Sequence, residues 1–194
     1  MSQKHKQFEK LFLPHLDAAY GLARWISNDS TLADDIVQAA YVRAWEHFER
    51  YEHRNSSGWL LTIVRNVAYT MLAKRNKENK LVSFDEVVHH GLGGDSAAAS
   101  DNADTWRGIG SSPEFNVEQL TSGEHIEKAM TYLSAELREV IVLREVEGYS
   151  YREIAEIIDV PKGTVMSRLS RGRAQLAKRL AAVTGRTANT RGSV

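Results

Sequence analysis

The chain of 194 residues contains no cysteine. This absence excludes disulfides, thiolate catalysis and zinc sites built on cysteine. The chain also has no run of about 18 apolar residues, and no apolar segment follows its charged start, so we expect neither a membrane span nor a secretory signal. These absences predict a cytoplasmic protein without membrane insertion.

Signatures of catalysis and of metal binding are also missing. The glycine-rich residues 91–94 are not followed by Lys-Ser or Lys-Thr, and the seven histidines form no HExxH pattern. Asp34 and Asp35 point about 100° apart on a helix, with no third ligand in reach. We therefore predict no catalytic residue, no metal and no cofactor.

Charge is not scarce but segregated along the chain. The formal net charge is zero, yet residues 160–194 carry 8 Lys or Arg and no Asp or Glu, whereas residues 81–127 carry 1 and 9. A cationic end beside an acidic middle indicates a local surface for an anionic partner, which the overall charge conceals.

The cationic end contains the pattern of two helices joined by a tight turn. Ile154, Ala155 and Ile158 mark the inner face of a short helix, which must stop at Val160–Pro161 because proline cannot continue a helix. A second helix is predicted from near Lys162. Because a preceding helix and turn accompany this basic helix, we favour a DNA-reading helix-turn-helix over an ordinary solvated basic face.

The second helix separates its apolar and polar residues into two faces. At about 100° per residue, one face collects Val165, Leu169, Gly172 and Leu176. The opposite face is cationic or small, and Arg168 and Gln175 flank it. Its members are Ser167, Ser170, Arg171, Ala174 and Lys178.

The pattern from Phe8 to about Lys77 is helical throughout, and it predicts an all-α first domain. Its second helix should start after the cluster Asn28 to Thr31, which is rich in capping residues, and end near Phe48. A third helix should run from about Gly58 to the charged residues 74–77. We place this domain at 1–80, an acidic flexible linker at 81–119, a second helical domain at 120–183 and a disordered tail at 184–194.

Aromatic and cationic residues occur together in the polar loop Glu49 to Ser57 and in the helix after it. Aromatic rings can stack on unpaired bases, and cations can hold phosphates, so this mixture suits single-stranded nucleic acid. Taken alone, the segment favours the alternative that Phe48 and Trp59 are core anchors and that the Lys/Arg run is solvated.

The helix before this loop has small and apolar residues on its charged side. Val42 and Ala39 lie there with Asp35, Gln38 and Arg43, which suggests a docking face for another protein.

These segments together resemble the extracytoplasmic-function (ECF, group IV) sigma factors of bacterial RNA polymerase. ADDIVQAAYVRAW at 33–45 is similar to the family's core-polymerase-binding helix, and WLLTIVRNVAYTMLAKR at 59–75 to its helix beneath the promoter −10 element. SSPE at 111–114 resembles the usual entry to the second domain, and residues 133–180 resemble the domain that reads the −35 element.

The resemblance implies a sigma region 2-like bundle and a region 4-like helix-turn-helix that direct core RNA polymerase to promoters and assist melting, in a stress or envelope response. It also implies an anti-sigma factor as a partner. Polymerase contacts fall on Asp34, Asp35, Gln38, Val42 and Arg43. Contacts to the −10 element fall on Arg50, Tyr51, His53, Arg54, Asn55, Ser56, Trp59, Arg65, Asn66, Lys74 and Arg75. Contacts to the −35 element fall on Lys162, Thr164, Ser167, Arg168, Arg171 and Lys178.

Two alternatives stay open on the sequence. A sigma-like decoy or adaptor would bind a regulator without engaging DNA, but the basic second helix argues against it. A stand-alone helix-turn-helix regulator would usually dimerise on a symmetric site, and no dimerisation helix is evident in the sequence.

Overall fold

The computed structural model describes residues 3–52, 55–87 and 123–188, and every regular element in these ranges is helical. His53, Arg54, most of the predicted linker and the end of the predicted tail lie outside the described residues. The helices are α1 (Gln3–Phe12), α2 (Leu16–Ser27), α3 (Ser30–Glu46), α4 (Ser56–Val87), α5 (Gly123–Met130), α6 (Ala135–Ile141), α7 (Tyr151–Ile158) and α8 (Lys162–Ala188).

The first domain departs from the predicted three helices at its start. Pro14 lies in a 3-10 turn, Leu13–His15, that separates α1 from α2, because proline supplies no amide hydrogen inside a helix. The start of α3 is as predicted: the Asp29 side chain accepts a hydrogen bond of 3.1 Å from the Leu32 amide.

Two long helices end later than predicted. Helix α4 continues to Val87, beyond the charged residues 74–77 at which we expected it to end. Helix α8 continues to Ala188, so the start of the predicted disordered tail is helical. Polar composition alone does not end a helix, and α8 runs through Gly185.

An aromatic cluster forms the core at one end of the first domain. Phe12 is fully buried, and its ring centroid lies 5.9 Å from that of Phe48, 5.4 Å from that of Tyr51 and 5.3 Å from that of Trp59. The alternative interpretation of Phe48 as a core anchor is therefore correct. This cluster fixes the loop between α3 and α4 to the body of the domain.

The helix-turn-helix is built as the sequence predicted. Ser150 and Glu153 form a capping box at the start of α7, which ends at Asp159 in the left-handed conformation. Val165 and Leu169 of α8 are buried against the domain, and Gly172 is also buried. The predicted inner face of α8 is confirmed.

The two domains pack against each other rather than standing apart as the sequence suggested. Their buried apolar residues form one continuous cluster that extends from Phe8 to Leu169. Helix α2 contacts α6, and α4 contacts α7. The arrangement is closed, and it places side chains of one domain on the predicted functional surfaces of the other.

Candidate nucleic-acid and polymerase interfaces

The outer face of α8 is open to solvent. Lys162, Ser167, Arg171 and Lys178 are exposed, whereas Thr164 is half-buried. The hydroxyl of Ser167 donates a hydrogen bond of 3.0 Å to the Thr164 carbonyl oxygen, one turn back on the same helix. The exposed cations leave a face that could lie in a DNA major groove.

Arg168 differs from its neighbours because it is half-buried. Its Nη1 atom is buried without a hydrogen-bond partner in the protein. The pKa of Glu136 is lowered chiefly by hydrogen bonding at the start of α6, and the charge of Arg168 contributes to that shift. In the closed arrangement, Arg168 therefore lies partly against α6 rather than wholly on the DNA-facing side.

Gly172 allows α8 to approach α6 closely. A Cβ atom at this position would lie 2.8 Å from Cδ1 of the buried Ile141 and 3.6 Å from the Leu137 carbonyl oxygen. A side chain at 172 would therefore press on the core that orients the outer face of α8.

One side of α3 carries the residues predicted to meet polymerase. Asp34, Asp35, Gln38 and Arg43 are exposed, and so is 58% of Val42. The opposite side is packed into the core through buried Ile36, Val37, Ala40 and Ala44. Helical spacing thus places the apolar side chain of Val42 among charged side chains on the exposed side of α3.

The loop predicted to capture a −10 base borders a cleft of about 390 Å³ between the domains. Trp59 is half-buried and lies in this cleft, but Tyr51 is only 7% exposed and packs within the aromatic cluster. The full lining is Arg50, Tyr51, Glu52, Asn55, Gly58, Trp59, Thr62, Glu153, Glu156 and Ile157.

The end of this loop is held by hydrogen bonds within the first domain. Asn55 Oδ1 accepts a bond of 2.9 Å from the Gly58 amide and so caps α4. The Ser56 hydroxyl lies 2.9 Å from Nε2 of His15, which belongs to the turn before α2. Both predicted loop residues therefore also have structural partners.

The predicted cations of α4 are distributed between solvent and ion pairs. Arg75 Nη1 lies 2.7 Å from Oδ2 of Asp29, whose pKa is lowered chiefly by that hydrogen bond. Lys74 is exposed near Glu78, and Asn66 is exposed. These residues share one long helix with Arg65.

Arg65 is engaged with the second domain. Its Nε atom donates to Oε1 of Glu139 at 2.6 Å, and the Tyr69 hydroxyl donates to Oε2 at 3.2 Å. Glu139 is fully buried, and burial raises the pKa of its carboxyl group against the opposing effect of Arg65. The Ser57 and Tyr149 hydroxyls make a further hydrogen bond between the domains.

Arg138, the neighbour of Glu139, joins the domains from the other side. Its Nε donates to the Trp25 carbonyl oxygen at 2.6 Å, its Nη2 to that of Ile26 at 3.2 Å and its Nη1 to that of Leu133 at 2.7 Å. The guanidinium thus caps the C-terminus of α2. Burial lowers the pKa of Arg138.

Sequence reasoning missed Tyr69, Arg138 and Glu139. The available signal was the position of Arg138 and Glu139 inside the apolar run from Leu137 to Leu143. A charged pair in such a run must find partners when the run is buried.

Comparisons with known proteins agree with this geometry. A model of sigma-70 region 2 matches residues 11–78, and a model of sigma-70 region 4 matches residues 124–176. The two-domain helical architecture and the helix-turn-helix therefore define a member of the sigma-70 family.

Similar proteins narrow the assignment. The ECF RNA polymerase sigma factor SigW of Bacillus subtilis is 30% identical over 165 residues, which cover 84% of this chain and 83% of SigW. SigE of Mycolicibacterium smegmatis is 29% identical over 183 residues, 94% of this chain and 65% of SigE. The chain belongs to the ECF RNA polymerase sigma factors.

A solved structure also matches across both domains. The sigma factor RpoE from Bartonella quintana, solved in complex with the anti-sigma factor NepR, aligns with a TM-score of 0.65 and 28% identity, covering 90% of this chain and 97% of RpoE. Among the helices that the structure describes, none is long and apolar enough to cross a membrane.

Proposed function

We propose that this chain binds core RNA polymerase through α3 and directs it to promoters by holding the −35 element with α8 and the melted −10 strand with the loop 49–57 and α4. One observation supports this proposal above the others. A single chain of the sigma-70 family contains a helix-turn-helix whose helix α8 exposes cations, and a helix α3 that exposes an apolar side chain among charged ones.

The polymerase contact is assigned to Asp34, Asp35, Gln38, Val42 and Arg43. An exposed valine surrounded by charges can bury apolar area, while the charges select the partner and orient it. Trp45 is assigned to the domain core, because its ring packs edge-on against Phe8 with centroids 5.2 Å apart.

The −35 contact is assigned to Lys162, Thr164, Ser167, Arg168, Arg171 and Lys178. Arginine can bind a guanine edge bidentately, and lysine and hydroxyl groups position the helix through phosphates. Arg168 must leave its half-buried position against α6 to take part, so its contribution requires a change from the closed arrangement.

The −10 contact is assigned to the exposed members of the loop and of α4. Arg50, Asn66 and Lys74 lie on the surface. His53 and Arg54 are assigned from the sequence resemblance alone. The cleft is lined by Trp59 and Asn55, and Ser56 follows Asn55 at the start of α4. Arg65 and Arg75 are assigned to the DNA strand once their present ion pairs open. The stacking role predicted for Tyr51 is not part of this proposal, since the ring is buried.

The protein is proposed to act by binding rather than by catalysis. Within the part of the chain that the structure describes, no three His, Cys, Asp or Glu side chains are placed to hold a metal ion. We further propose that it works in the cytoplasm, associated with the nucleoid when bound to polymerase, and that an anti-sigma factor regulates it, as NepR binds the similar RpoE.

Run-off transcription with purified core polymerase tests the proposal. The chain should yield specific transcripts, and Arg171→Glu should abolish those that depend on a −35 element while polymerase binding persists. Arg152→Glu, a charge reversal of an exposed arginine on α7, is the matched control and should transcribe normally. No specific transcript from any host promoter, or equal loss of transcription and polymerase binding in Arg171→Glu, would refute the assignment.

A further inference from the structure

We propose that Arg65 and Tyr69 form a phosphate site for the melted promoter strand, and that Glu139 occupies this site in the free protein as an internal competitor. The inference rests on the proposed function, because it assumes that α4 receives DNA. It adds Tyr69 as a binding residue and gives Glu139 a regulatory role.

The geometry of the site matches a phosphodiester as well as a carboxylate. Each Glu139 oxygen receives one donor, Arg65 at 2.6 Å and the Tyr69 hydroxyl at 3.2 Å. A phosphodiester also presents two anionic oxygens to such a pair of donors. Arg65 and Tyr69 are four residues apart on α4, so both donors project from one side of the helix.

The two donors also support each other. The Arg65 guanidinium carbon lies 4.9 Å from the centroid of the Tyr69 ring, a cation–π contact that limits the freedom of both side chains. Because the pair belongs to α4 alone, it can persist when the second domain moves away.

The cost of burying Glu139 makes the competitor reversible. Its side chain is fully buried, whereas that of Arg65 is 20% exposed. Removing a charge from water offsets much of the attraction in a buried ion pair, so such a pair is a weak net contributor to stability. Separation of the domains restores water to the carboxylate and frees Arg65 for DNA.

A second acidic contribution lies beside the −10 loop. Glu153 and Glu156 of α7 line the cleft opposite Arg50 and Trp59. In the closed arrangement, carboxylates of the second domain therefore lie against two parts of the DNA-binding surface predicted for the first domain. Glu139 lies against Arg65, and Glu153 and Glu156 lie beside the −10 loop. A DNA strand would meet repulsion there until α7 moves away.

Glu139→Gln tests the competition in the full-length chain. Binding of a fluorescent mixed-sequence single-stranded oligonucleotide is followed by anisotropy at low salt. The apparent affinity scales with the fraction of molecules in which the Arg65–Tyr69 site is free to bind DNA, and Glu139→Gln should raise that fraction. We therefore expect this variant to bind at least about threefold more tightly than the wild type. Adding Arg65→Gln to this variant should remove the gain, and adding Tyr69→Phe should reduce it.

Glu46→Gln is the matched control, since it removes one negative charge from an exposed glutamate of α3. Equal gains in Glu46→Gln and Glu139→Gln, or a gain that survives Arg65→Gln, would overturn the proposal. Should Glu139→Gln lose its helical circular dichroism, Glu139→Asp takes its place, because a shorter acid keeps the charge but withdraws it from Arg65. A gain in affinity again supports the competition, and unchanged affinity opposes it.

Transcription separates failure of this inference from failure of the proposed function. With saturating protein and core polymerase, the wild type and Glu139→Gln should give equal transcript levels, because under this proposal the binding of polymerase and promoter opens the wild type as well. Normal transcription together with unchanged oligonucleotide affinity contradicts the competitor alone. Absence of transcription from both proteins contradicts the proposed function.

Discussion

Replacement of Arg138 by methionine should shift the two domains from the closed arrangement toward separation. Arg138 is 7% exposed, and its guanidinium donates to carbonyl oxygens of Trp25 and Ile26 in the first domain and of Leu133 in the second. Methionine keeps an apolar stem of similar length, so the substitution removes mainly these hydrogen bonds and the charge at the C-terminus of α2.

The expected magnitude follows from the bonds that cross between domains. Hydrogen bonds to a charged group contribute about 1.5 kcal/mol each at the lower end of their range, so the two bonds to α2 contribute about 3 kcal/mol. A loss of this size shifts the ratio of closed to open molecules roughly a hundredfold. The bond to Leu133 is internal to the second domain and should affect its own stability.

A distance measurement between spin labels would detect the separation. Because the chain has no cysteine, Gln7→Cys and Ala182→Cys provide exposed attachment sites on α1 and α8. Arg138→Met should broaden and lengthen the distance distribution, and Arg138→Lys should have a smaller effect because it keeps a charge without the planar donors. An unchanged distribution in Arg138→Met would refute the role of these bonds.

Three further substitutions test local features. Asn55→Ala removes the cap of α4 and should lower the free energy of unfolding by about 1 kcal/mol in urea titration; an unchanged value would contradict the capping role. Glu153→Gln should destabilise the protein at neutral pH, because hydrogen bonding to Ser150 lowers the pKa of this carboxyl group. The deficit relative to wild type should shrink as the pH falls through that lowered pKa, and a deficit that grows in acid would contradict this reasoning. Gly172→Ala should lower the free energy of unfolding by about 1 kcal/mol, because the new methyl group crowds the Ile141 side chain by more than the gain in helix propensity offsets. A more stable variant would show that the Ile141 side chain can move aside at little cost.

The sequence was sufficient to predict features that depend on local rules. The α7–α8 turn follows from Pro161, the inner face of α8 from the spacing of Val165 and Leu169, and the start of α3 from Asp29. Each of these signals acts within a few residues, so periodicity and capping preferences suffice to read it.

Features that depend on contacts between distant residues could not be predicted in this way. The pairing of Arg65 with Glu139 joins residues 74 positions apart, and no local pattern specifies it. Burial of the loop residue Tyr51 likewise depends on Phe12, which lies in α1. Residues predicted to bind DNA can therefore have partners inside the protein that no local pattern reveals.

Site-directed DNA cleavage in the assembled holoenzyme tests the division of labour most directly. A DNA-cleaving iron chelate is attached at Ser170→Cys on α8 in one protein and at Thr70→Cys on α4 in another; both positions are exposed. On a promoter that the holoenzyme transcribes, we predict that the α8 label cuts only around the −35 element and the α4 label only around the −10 element. Overlapping cuts from the two labels, or cuts by the α8 label confined to the −10 region, would contradict the account.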